Sequence, residues 1–426
     1  MGRALGIAWY AFVLAAGSLL ATWSWRSDFD SAFGAAVRLA LWGTTTVDDF
    51  RRWPGNDLAP SASPRLFPRR AQPAPPPEVE LLAGKRQPLA AALESTRTLA
   101  FLVLRDGEIV FEWGGEGRAP REPSQWFSVS KSVLATLVAM AVDDGILASV
   151  SQPVTDLVPE LAPHGFGAVT LRHLLDMTSG IDYDENDNPF GEHVLMNYTP
   201  SIERQVLGFR LAEPPGTRWS YKSGDTALLS LALRRALAAR RGPGTTLTAY
   251  AQARLWTPLG MEHPGTWSVD QEGGLEKAWC CLAGSARDLA RIGLLYLARG
   301  APGGTRLLAQ RWADEAFAPM PDAGEWRAHR FSWWSARPQA QGILAIGRTA
   351  SSCTWTPRGA RSSSGWGEAR GTRVSAAGRR SSRPSPRTHG SRPPGALTGI
   401  NSRPGAGRKL EARRTSPCRP PASPSP

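Results

Sequence analysis

The sequence is poor in the residues that hold metal ions or build a disulfide framework. It has four cysteines and six histidines among 426 residues, and Cys280 and Cys281 are neighbours. Adjacent cysteines rarely bridge because the geometry is strained, and four cysteines imply no disulfide framework. We therefore expect Cys280 and Cys281 to be small buried residues beside Trp279. No histidine, cysteine or acidic cluster has the spacing of metal ligands, so we expect no metal and no organic cofactor.

Acidic residues are almost absent from the chain after Gly347. Residues 348–426 contain sixteen basic residues but only Glu368 and Glu411 as acids, a net charge of +14. The preceding residues include 34 basic and 35 acidic side chains, so the positive charge of the whole chain belongs to this tail. Serine, proline, glycine and arginine dominate the tail without a periodic apolar pattern. This composition predicts a disordered segment.

Charged residues are also absent from Ala4 to Trp23. A bilayer-spanning helix needs roughly 20 apolar residues, and this run is longer than the usual apolar region of a signal peptide. We predict a membrane-spanning signal anchor in residues 1–25, with cleavage between Gly17 and Thr22 as the alternative. Either outcome exports the rest of the chain to the bacterial cell envelope. It would face the periplasm from the inner membrane, or be periplasmic or secreted after cleavage.

A proline-rich stretch at residues 64–77 separates this segment from the first apolar strands. Because such segments stay extended and stiff, residues 26–78 are predicted to be a spacer without catalytic function. The globular domain is predicted at residues 79–347. It begins with two apolar strands on either side of Asp106-Gly107, which indicates a β-hairpin.

The stretch FSVSKS at residues 127–132 begins an apolar run with the spacing of a buried helix. The helix is predicted to continue to Val142 and to end at Gly145, which can adopt the left-handed conformation of a C-terminal cap. Ser128 would lie at the helix N-terminus, with Lys131 on the same face. A serine becomes a nucleophile when a base removes its proton, and a deprotonated lysine can be that base. The helix end also favours an oxyanion. For S-x-x-K alone, a serine cap followed by a solvated lysine is the alternative.

A second stretch rich in polar residues lies at residues 216–225, before another run of residues with helical spacing. Tyr221 and Ser223 fall on the turn entering that helix, and they supply a phenol and a hydroxyl that could share a proton relay with the lysine. With FSVSKS, the stretches VTLRHLLDMTSGIDY, EPPGTRWSYKSGDTALL, PLGMEH and GGLEKAWCCLAGSARDLARIGLLYL resemble serine hydrolases of the β-lactamase and penicillin-binding superfamily. Within it they are most similar to class C β-lactamase-like esterases and nylon-oligomer (6-aminohexanoate-dimer) hydrolases. The resemblance extends from about Leu99 to Gly347.

The resemblance implies a fold and a set of roles. The fold would be α/β (α+β), with a central antiparallel sheet flanked by helices and an all-helical subdomain. Ser128 would be the nucleophile, Lys131 the general base, Tyr221 the relay, and Ser223 a substrate-binding hydrogen-bond partner. Small ester, amide or β-lactam-like substrates would react through an acyl-enzyme. The oligomeric state is not indicated.

Two further features are interpreted as structural rather than catalytic or metal-binding. His173 follows Thr170, a helix N-cap candidate, and lies beside leucines, so a structural histidine is favoured over a catalytic base. The acidic stretch Asp182–Asn188 lacks the ligand spacing of a calcium loop. We interpret it as a solvated rim of the site, which could also attract an amine-bearing substrate.

The chain departs from the resembling family directly after Gly347. The family carries there a K-T-G-like or H-x-G-like third motif that supplies the second oxyanion N–H, whereas this chain has Arg348-Thr349-Ala350. Restoring one base in the codon of Arg348 allows the reading R-H-G-Q-L-L-Y-V-D-P-A-R, which is closely similar to family members. We therefore expect the tail to be an out-of-frame translation that leaves the sheet without its last strands.

Three functions remain open from the sequence. The first is the exported serine hydrolase. Its Tyr-x-Ser motif replaces the Tyr-x-Asn of class C β-lactamases, and the resemblance implies that this form favours esters and small amides as substrates. The second is a penicillin-binding or peptidoglycan-directed protein on the same scaffold. The third is a non-enzymatic, membrane-tethered protein whose basic tail binds nucleic acid or anionic lipid by charge. Because the predicted location is outside the cytoplasm, no nucleic-acid partner is expected.

Overall fold

The structure is a computed structural model that describes residues 38–40, 42, 45–71, 78–82, 85–186, 188, 191–318, 329–336, 342–347, 352–356 and 372–377. The predicted signal anchor lies outside these residues. No helix within the described residues is both long enough and apolar enough to cross a bilayer.

Strands within the described residues form three sheets. They are β1 (Gly55–Leu58), β2 (Glu78–Leu82), β3 (Lys85–Pro88), β4 (Ala100–Arg105), β5 (Glu108–Gly114), β6 (Ser124–Gln125), β7 (Gly265–Ser268), β8 (Leu282–Gly284), β9 (His329–Arg330), β10 (Trp333–Ala336), β11 (Gly342–Ile346), β12 (Ser352–Thr356) and β13 (Thr372–Ala377). The main sheet has the order β5, β4, β13, β12, β11, β10 and β9. A second sheet has the order β1, β7, β8 and β6, while β2 and β3 pair with each other.

The predicted hairpin at the start of the domain is confirmed. β4 and β5 pair antiparallel, and the two residues between them, Asp106 and Gly107, have φ angles of 54° and 83°. Two consecutive residues with positive φ are typical of the two-residue turn whose twist matches that of a hairpin. An aspartate followed by glycine tolerates this conformation, which is why the sequence signal was reliable.

The main sheet is mixed, and it continues beyond Gly347. β12 is antiparallel to β11, whereas β13 lies between β12 and β4 and is parallel to both. The predictions of a wholly antiparallel sheet, of missing last strands and of disorder are therefore wrong for these two segments. The reason is that ladder hydrogen bonds join backbone groups, which almost every residue carries, so the edges of β4 and β11 can pair with strands that lack an apolar pattern. The rest of residues 348–426 lies outside the described residues.

Helices cover the sheets and form the region between β6 and β7. The α-helices of the described residues are α1 (Leu89–Ser95), α2 (Val129–Asp143), α3 (Leu171–Asp176), α4 (Glu192–Tyr198), α5 (Ile202–Leu207), α6 (Ser223–Arg241), α7 (Leu247–Ala251), α8 (Ala286–Leu297) and α9 (Gln310–Phe317). Helices α2 to α7 follow one another without a named strand among the described residues, as the predicted helical subdomain requires. α8 packs against β4, β12 and β13.

Helix α2 is the buried helix that the apolar run predicts. Its residues from Val129 to Ala141 are all buried, and it contacts α6 and β11. The chain leaves it through Gly145, whose φ is 69°. Because α2 is enclosed on nearly all sides, its N-terminal residues are held rigidly between the sheet and the helical region.

The predicted spacer is not a spacer where the structure describes it. β1 pairs with β7, and Leu58 is 1% exposed. Further along, the Arg65 N–H donates to the carbonyl of Gly260 at 3.0 Å, and the Arg70 N–H donates to that of Ile109 at 3.1 Å. The prediction for residues 26–78 is therefore wrong for 55–71. Prolines interrupt periodicity there, but they leave short pieces such as β1 free to pair and to bury single apolar side chains.

Candidate active site

Ser128 is presented at the N-terminus of α2 by an unusual backbone conformation. The preceding residue, Phe127, has a φ of 48°, a region that costs a bulky side chain on the order of 1–3 kcal/mol. Burial against Val47 and Leu99 holds Phe127 in place. Ser128 caps α2 without a side-chain capping hydrogen bond, so its Oγ is left for other partners. Its backbone N–H has no acceptor among the described residues.

Lys131 lies one helical turn further on and binds three oxygen atoms. Its side chain is 3% exposed, and Nζ donates to Ser128 Oγ at 3.1 Å, to Ser223 Oγ at 3.0 Å and to the Trp279 carbonyl at 2.9 Å. An ammonium has three N–H donors and no acceptor. When Lys131 is an ammonium, its three N–H groups face these three oxygens; when it is a neutral amine, two N–H groups and one lone pair face them. One of the three oxygens belongs to the predicted nucleophile.

The other two serines of FSVSKS have structural partners. Ser130 Oγ accepts from the backbone N–H of Leu282 at 3.2 Å, and Ser132 Oγ donates to the carbonyl of Ser332 at 2.6 Å. Both serines are buried, whereas Ser128 is only half-buried. Of the three hydroxyls, only that of Ser128 combines exposure with a bond to Lys131.

Tyr221 and Ser223 both reach Lys131, but in different ways. Ser223 is the hydrogen-bond partner, as given above, at the first residue of α6. Tyr221 places its ring beside the amine, with Lys131 Nζ 4.9 Å from the ring centroid, and stacks on Trp334 with centroids 5.8 Å apart. Its phenol has no hydrogen-bond partner in the part of the chain that the structure describes. The structure therefore brings all four predicted site residues together, but it joins Ser223 rather than the Tyr221 phenol to the lysine.

Glu185 is a site residue that the sequence interpretation missed. Its Oε2 accepts from the Ser223 N–H and its Oε1 from the Ser223 Oγ–H, both at 2.6 Å. His193 lies behind it, with Nδ1 3.5 Å from Glu185 Oε1. The interpretation of Asp182–Asn188 as a wholly solvated rim is thus wrong for Glu185. A carboxylate is attracted to the N-terminus of α6 by its unpaired N–H groups and positive dipole end, but no spacing in the sequence signals a contact 38 residues away.

An aromatic wall, defined here as Trp219, Tyr221, His329 and Trp334, borders the site. Trp334 lies with ring centroids 4.9 Å from His329 and 5.8 Å from Trp219. Trp219 is 44% exposed. Burial, together with the charge of Lys131, lowers the pKa of His329 to about 3, so this histidine is neutral at physiological pH. The sequence interpretation named only Tyr221 of this group.

Two other expectations have clear outcomes. His173 is structural, as predicted: its backbone N–H donates to Thr170 Oγ1, while the Thr170 N–H donates to His173 Nδ1, which makes a capping box at the start of α3. The expectation of two unbridged cysteines is wrong, because Cys280 and Cys281 form a disulfide. The backbone turns between Trp279 and β8, and in this turn the two sulfur atoms come together.

In the described residues, no three histidine, cysteine or acidic side chains lie together as metal ligands would. The position at which the resemblance expects the second oxyanion donor begins at residue 348, outside the described residues.

Comparisons with known proteins agree with this geometry. The family profile described as Beta-lactamase matches residues 87–373. The 6-aminohexanoate-dimer hydrolase of Paenarthrobacter ureafaciens is 30% identical over 335 residues, and the match covers 72% of this chain and 83% of that protein. Esterase EstB of Burkholderia gladioli is 28% identical over 194 residues, covering 40% of this chain and 47% of that protein.

A solved structure shares the fold. A Bacillus anthracis protein described as a candidate 6-aminohexanoate-dimer hydrolase superposes with a TM-score of 0.63 at 23% identity, covering 72% of this chain and 82% of that chain. The profile match spans more than half of the chain, and the resemblance inferred from the motifs is confirmed. The chain belongs to the beta-lactamase family and is a serine hydrolase.

Proposed function

We propose that the chain cleaves ester or amide bonds of small substrates through an acyl-enzyme on Ser128. The observation that carries the proposal is the hydrogen bond of 3.1 Å between Lys131 Nζ and Ser128 Oγ, made at a helix N-terminus where the Ser128 N–H has no acceptor among the described residues. A nucleophile, a base and one oxyanion donor thus converge on one point.

The proposed reaction uses these contacts. Deprotonated Lys131 removes the proton of the Ser128 hydroxyl as its oxygen attacks the substrate carbonyl carbon. The Ser128 N–H stabilises the negative oxygen of the tetrahedral intermediate. Collapse of the intermediate breaks the bond to the alcohol or amine, which leaves with the proton that Lys131 returns. Water then attacks the acyl group as Lys131 takes one of its protons. Collapse of the second tetrahedral intermediate breaks the bond to Ser128 Oγ, Lys131 returns the proton to that oxygen, and the acid is released.

The residues around the site and the known relatives both favour small acyl substrates. The Tyr221 ring lies beside Lys131 and stacks on Trp334, and aromatic ring faces suit the apolar part of a small ester or amide. One relative named above is an amide-type hydrolase and another an esterase. Both names support hydrolysis of small acyl compounds as the proposed activity.

We further propose that the protein acts in the bacterial cell envelope, tethered by Ala4–Trp23 or released by cleavage. The support is the uncharged apolar length of this segment. Fractionation of cells that express the full chain tests it: activity or antigen confined to the cytosol would contradict export.

We also propose that residues 348–426 are translated out of frame. The charge change at Arg348 and the family-like reading obtained by restoring one base support this proposal. The frame-restored chain would supply the H-G segment as a second oxyanion donor, and loss of one such donor costs a factor of roughly 10²–10³ in rate.

One experiment tests the activity and the frame together. Hydrolysis of a p-nitrophenyl ester and covalent labelling by a fluorophosphonate are measured for the full chain as printed, for the frame-restored full chain, and for Ser128→Ala in each. We expect the frame-restored chain to be soluble and active, the printed chain to aggregate or to be slower, and Ser128→Ala to lose both signals. Labelling that persists in Ser128→Ala would refute the nucleophile, and equal solubility and rates for the two chains would refute the frameshift. Trapping of labelled penicillin without turnover would instead favour the penicillin-binding alternative.

A further inference from the structure

We propose that Glu185 is a positioning residue of the reaction, because it sets the direction of the hydrogen bonds around Lys131. In this arrangement the lone pair of the deprotonated amine faces the Ser128 hydroxyl. The inference rests on the proposed function, in which Ser128 is the nucleophile and Lys131 the base.

The Ser223 hydroxyl has a single proton to donate. Ser223 Oγ is 2.6 Å from Glu185 Oε1, and the Ser223 N–H reaches the other carboxylate oxygen at 2.6 Å. An ionised carboxylate can only accept hydrogen bonds, and bonds to a charged acceptor are roughly twice as strong as neutral ones. The hydroxyl proton of Ser223 is therefore committed to Glu185.

The protons of Lys131 are also committed. The Trp279 carbonyl, 2.9 Å from Nζ, is only an acceptor. Ser223 Oγ, 3.0 Å from Nζ, uses its only O–H group in the hydrogen bond to Glu185, so it can only accept a hydrogen bond from the lysine. A neutral amine has two N–H bonds and one lone pair, and these two oxygens take both N–H bonds. The lone pair is left facing the third neighbour, Ser128 Oγ, at 3.1 Å.

Loss of the carboxylate would undo this arrangement. If Glu185 could not accept from both groups, the Ser223 hydroxyl could turn and donate to the lone pair of Lys131. Ser223 would then compete with Ser128 for the base. Glu185→Gln creates this condition, because an amide offers one acceptor oxygen and one NH₂ donor group to two groups that both donate. The substitution keeps the size of the side chain and removes its negative charge.

A double-mutant cycle tests the proposal on the full-length chain, in both the printed and the frame-restored forms. Rates of fluorophosphonate labelling and kcat and KM for a p-nitrophenyl ester are measured for wild type, Glu185→Gln, Ser223→Ala and the double variant. We expect Glu185→Gln to slow labelling and kcat by roughly tenfold, which is less than the 10²–10⁴ that general-base catalysis as a whole contributes, with little change in KM. Since Glu185 acts through the Ser223 hydroxyl, adding Glu185→Gln to Ser223→Ala should change the rate by less than about twofold.

Glu192→Gln is the matched control. Glu192 lies close along the chain and its Oε2 accepts from the Asp184 N–H at 3.3 Å, but within the described residues no hydrogen bond joins it to Ser223. This variant removes the same charge from the same region, so its rates should stay close to wild type. A loss as large as that of Glu185→Gln would show that loop charge, and not the direction of one hydroxyl, is responsible.

The remaining outcomes separate the two proposals. Full additivity in the cycle, or a Glu185→Gln rate equal to wild type, would overturn the role of Glu185. If circular dichroism shows that Glu185→Gln does not fold, Ser223→Ala is the deciding variant. It removes the hydroxyl oxygen that accepts from Lys131, and an unchanged rate would overturn the inference. Unchanged labelling of Ser128→Ala would overturn the proposed function itself.

Discussion

Replacing Lys131 by arginine separates the charge of this side chain from its ability to accept a proton. A guanidinium cannot be deprotonated at accessible pH, so Lys131→Arg keeps a cation near Ser128 but removes the base. The site is tight: the lysine is 3% exposed and its amine already has three oxygen neighbours within 3.1 Å. The five donors of arginine would find the same three acceptors, so no new partner compensates for the lost function.

The magnitude follows from general-base catalysis. Loss of a positioned base typically lowers the rate by a factor of 10²–10⁴, and a factor of 10² corresponds to about 2.7 kcal/mol in the activation free energy. We therefore expect kcat/KM for a p-nitrophenyl ester to fall by roughly 10² or more. Fluorophosphonate labelling of Ser128 should slow by a similar factor, because acylation uses the same base.

Lys222→Arg is the control for the larger head group. Lys222 is 4% exposed and donates from Nζ to the carbonyl of Ile181 at 2.5 Å, but it does not contact Ser128. Both variants place a guanidinium where a buried amine was, so damage to folding should lower the melting temperature of both. A near-wild-type rate in Lys131→Arg would refute the assignment of the base and would point to Tyr221 instead.

The remaining predictions concern Tyr221 and a buried carboxyl group. Tyr221→Phe should keep kcat/KM within about threefold of wild type, because the phenol has no hydrogen-bond partner in the described residues and only the ring contacts Lys131. A fall in kcat/KM of roughly 10² across the pH–rate profile would instead support the predicted role of Tyr221 as a proton relay. Burial raises the pKa of Asp225 from 3.8 to about 7. A raised carboxyl pKa means that the folded state binds the proton more tightly, so this group should reduce the free energy of unfolding progressively as the pH rises from about 4 to about 7. Asp225→Asn should remove this pH dependence, which amounts to a difference in the free energy of unfolding on the order of a few kcal/mol. Denaturant unfolding at pH 5 and pH 8 measures the difference, and a variant with the same pH dependence as wild type would contradict the prediction.

The parts of the fold that were predicted correctly depend on short stretches of chain. The β4–β5 hairpin follows from Asp106-Gly107, and α2 follows from a continuous apolar run that ends at Gly145. The errors in strand placement concern long-range pairing. Nothing in the residues of β1 signals that β7 will pair with it, and the parallel placement of β13 between β4 and β12 depends on which strand edges are free in three dimensions.

The chemistry proposed for the site could be inferred from the sequence, because its central pair is local: Ser128 and Lys131 are three residues apart at the start of one helix, and helical geometry alone brings them together. The orientation of that pair depends on tertiary contacts. Ser223 and the Trp279 carbonyl reach Lys131 from 92 and 148 residues away, and Glu185 reaches Ser223 from 38 residues away. These contacts depend on the packing of α2 against α6 and on the path of the loops around them, and no periodicity or spacing in the sequence records either.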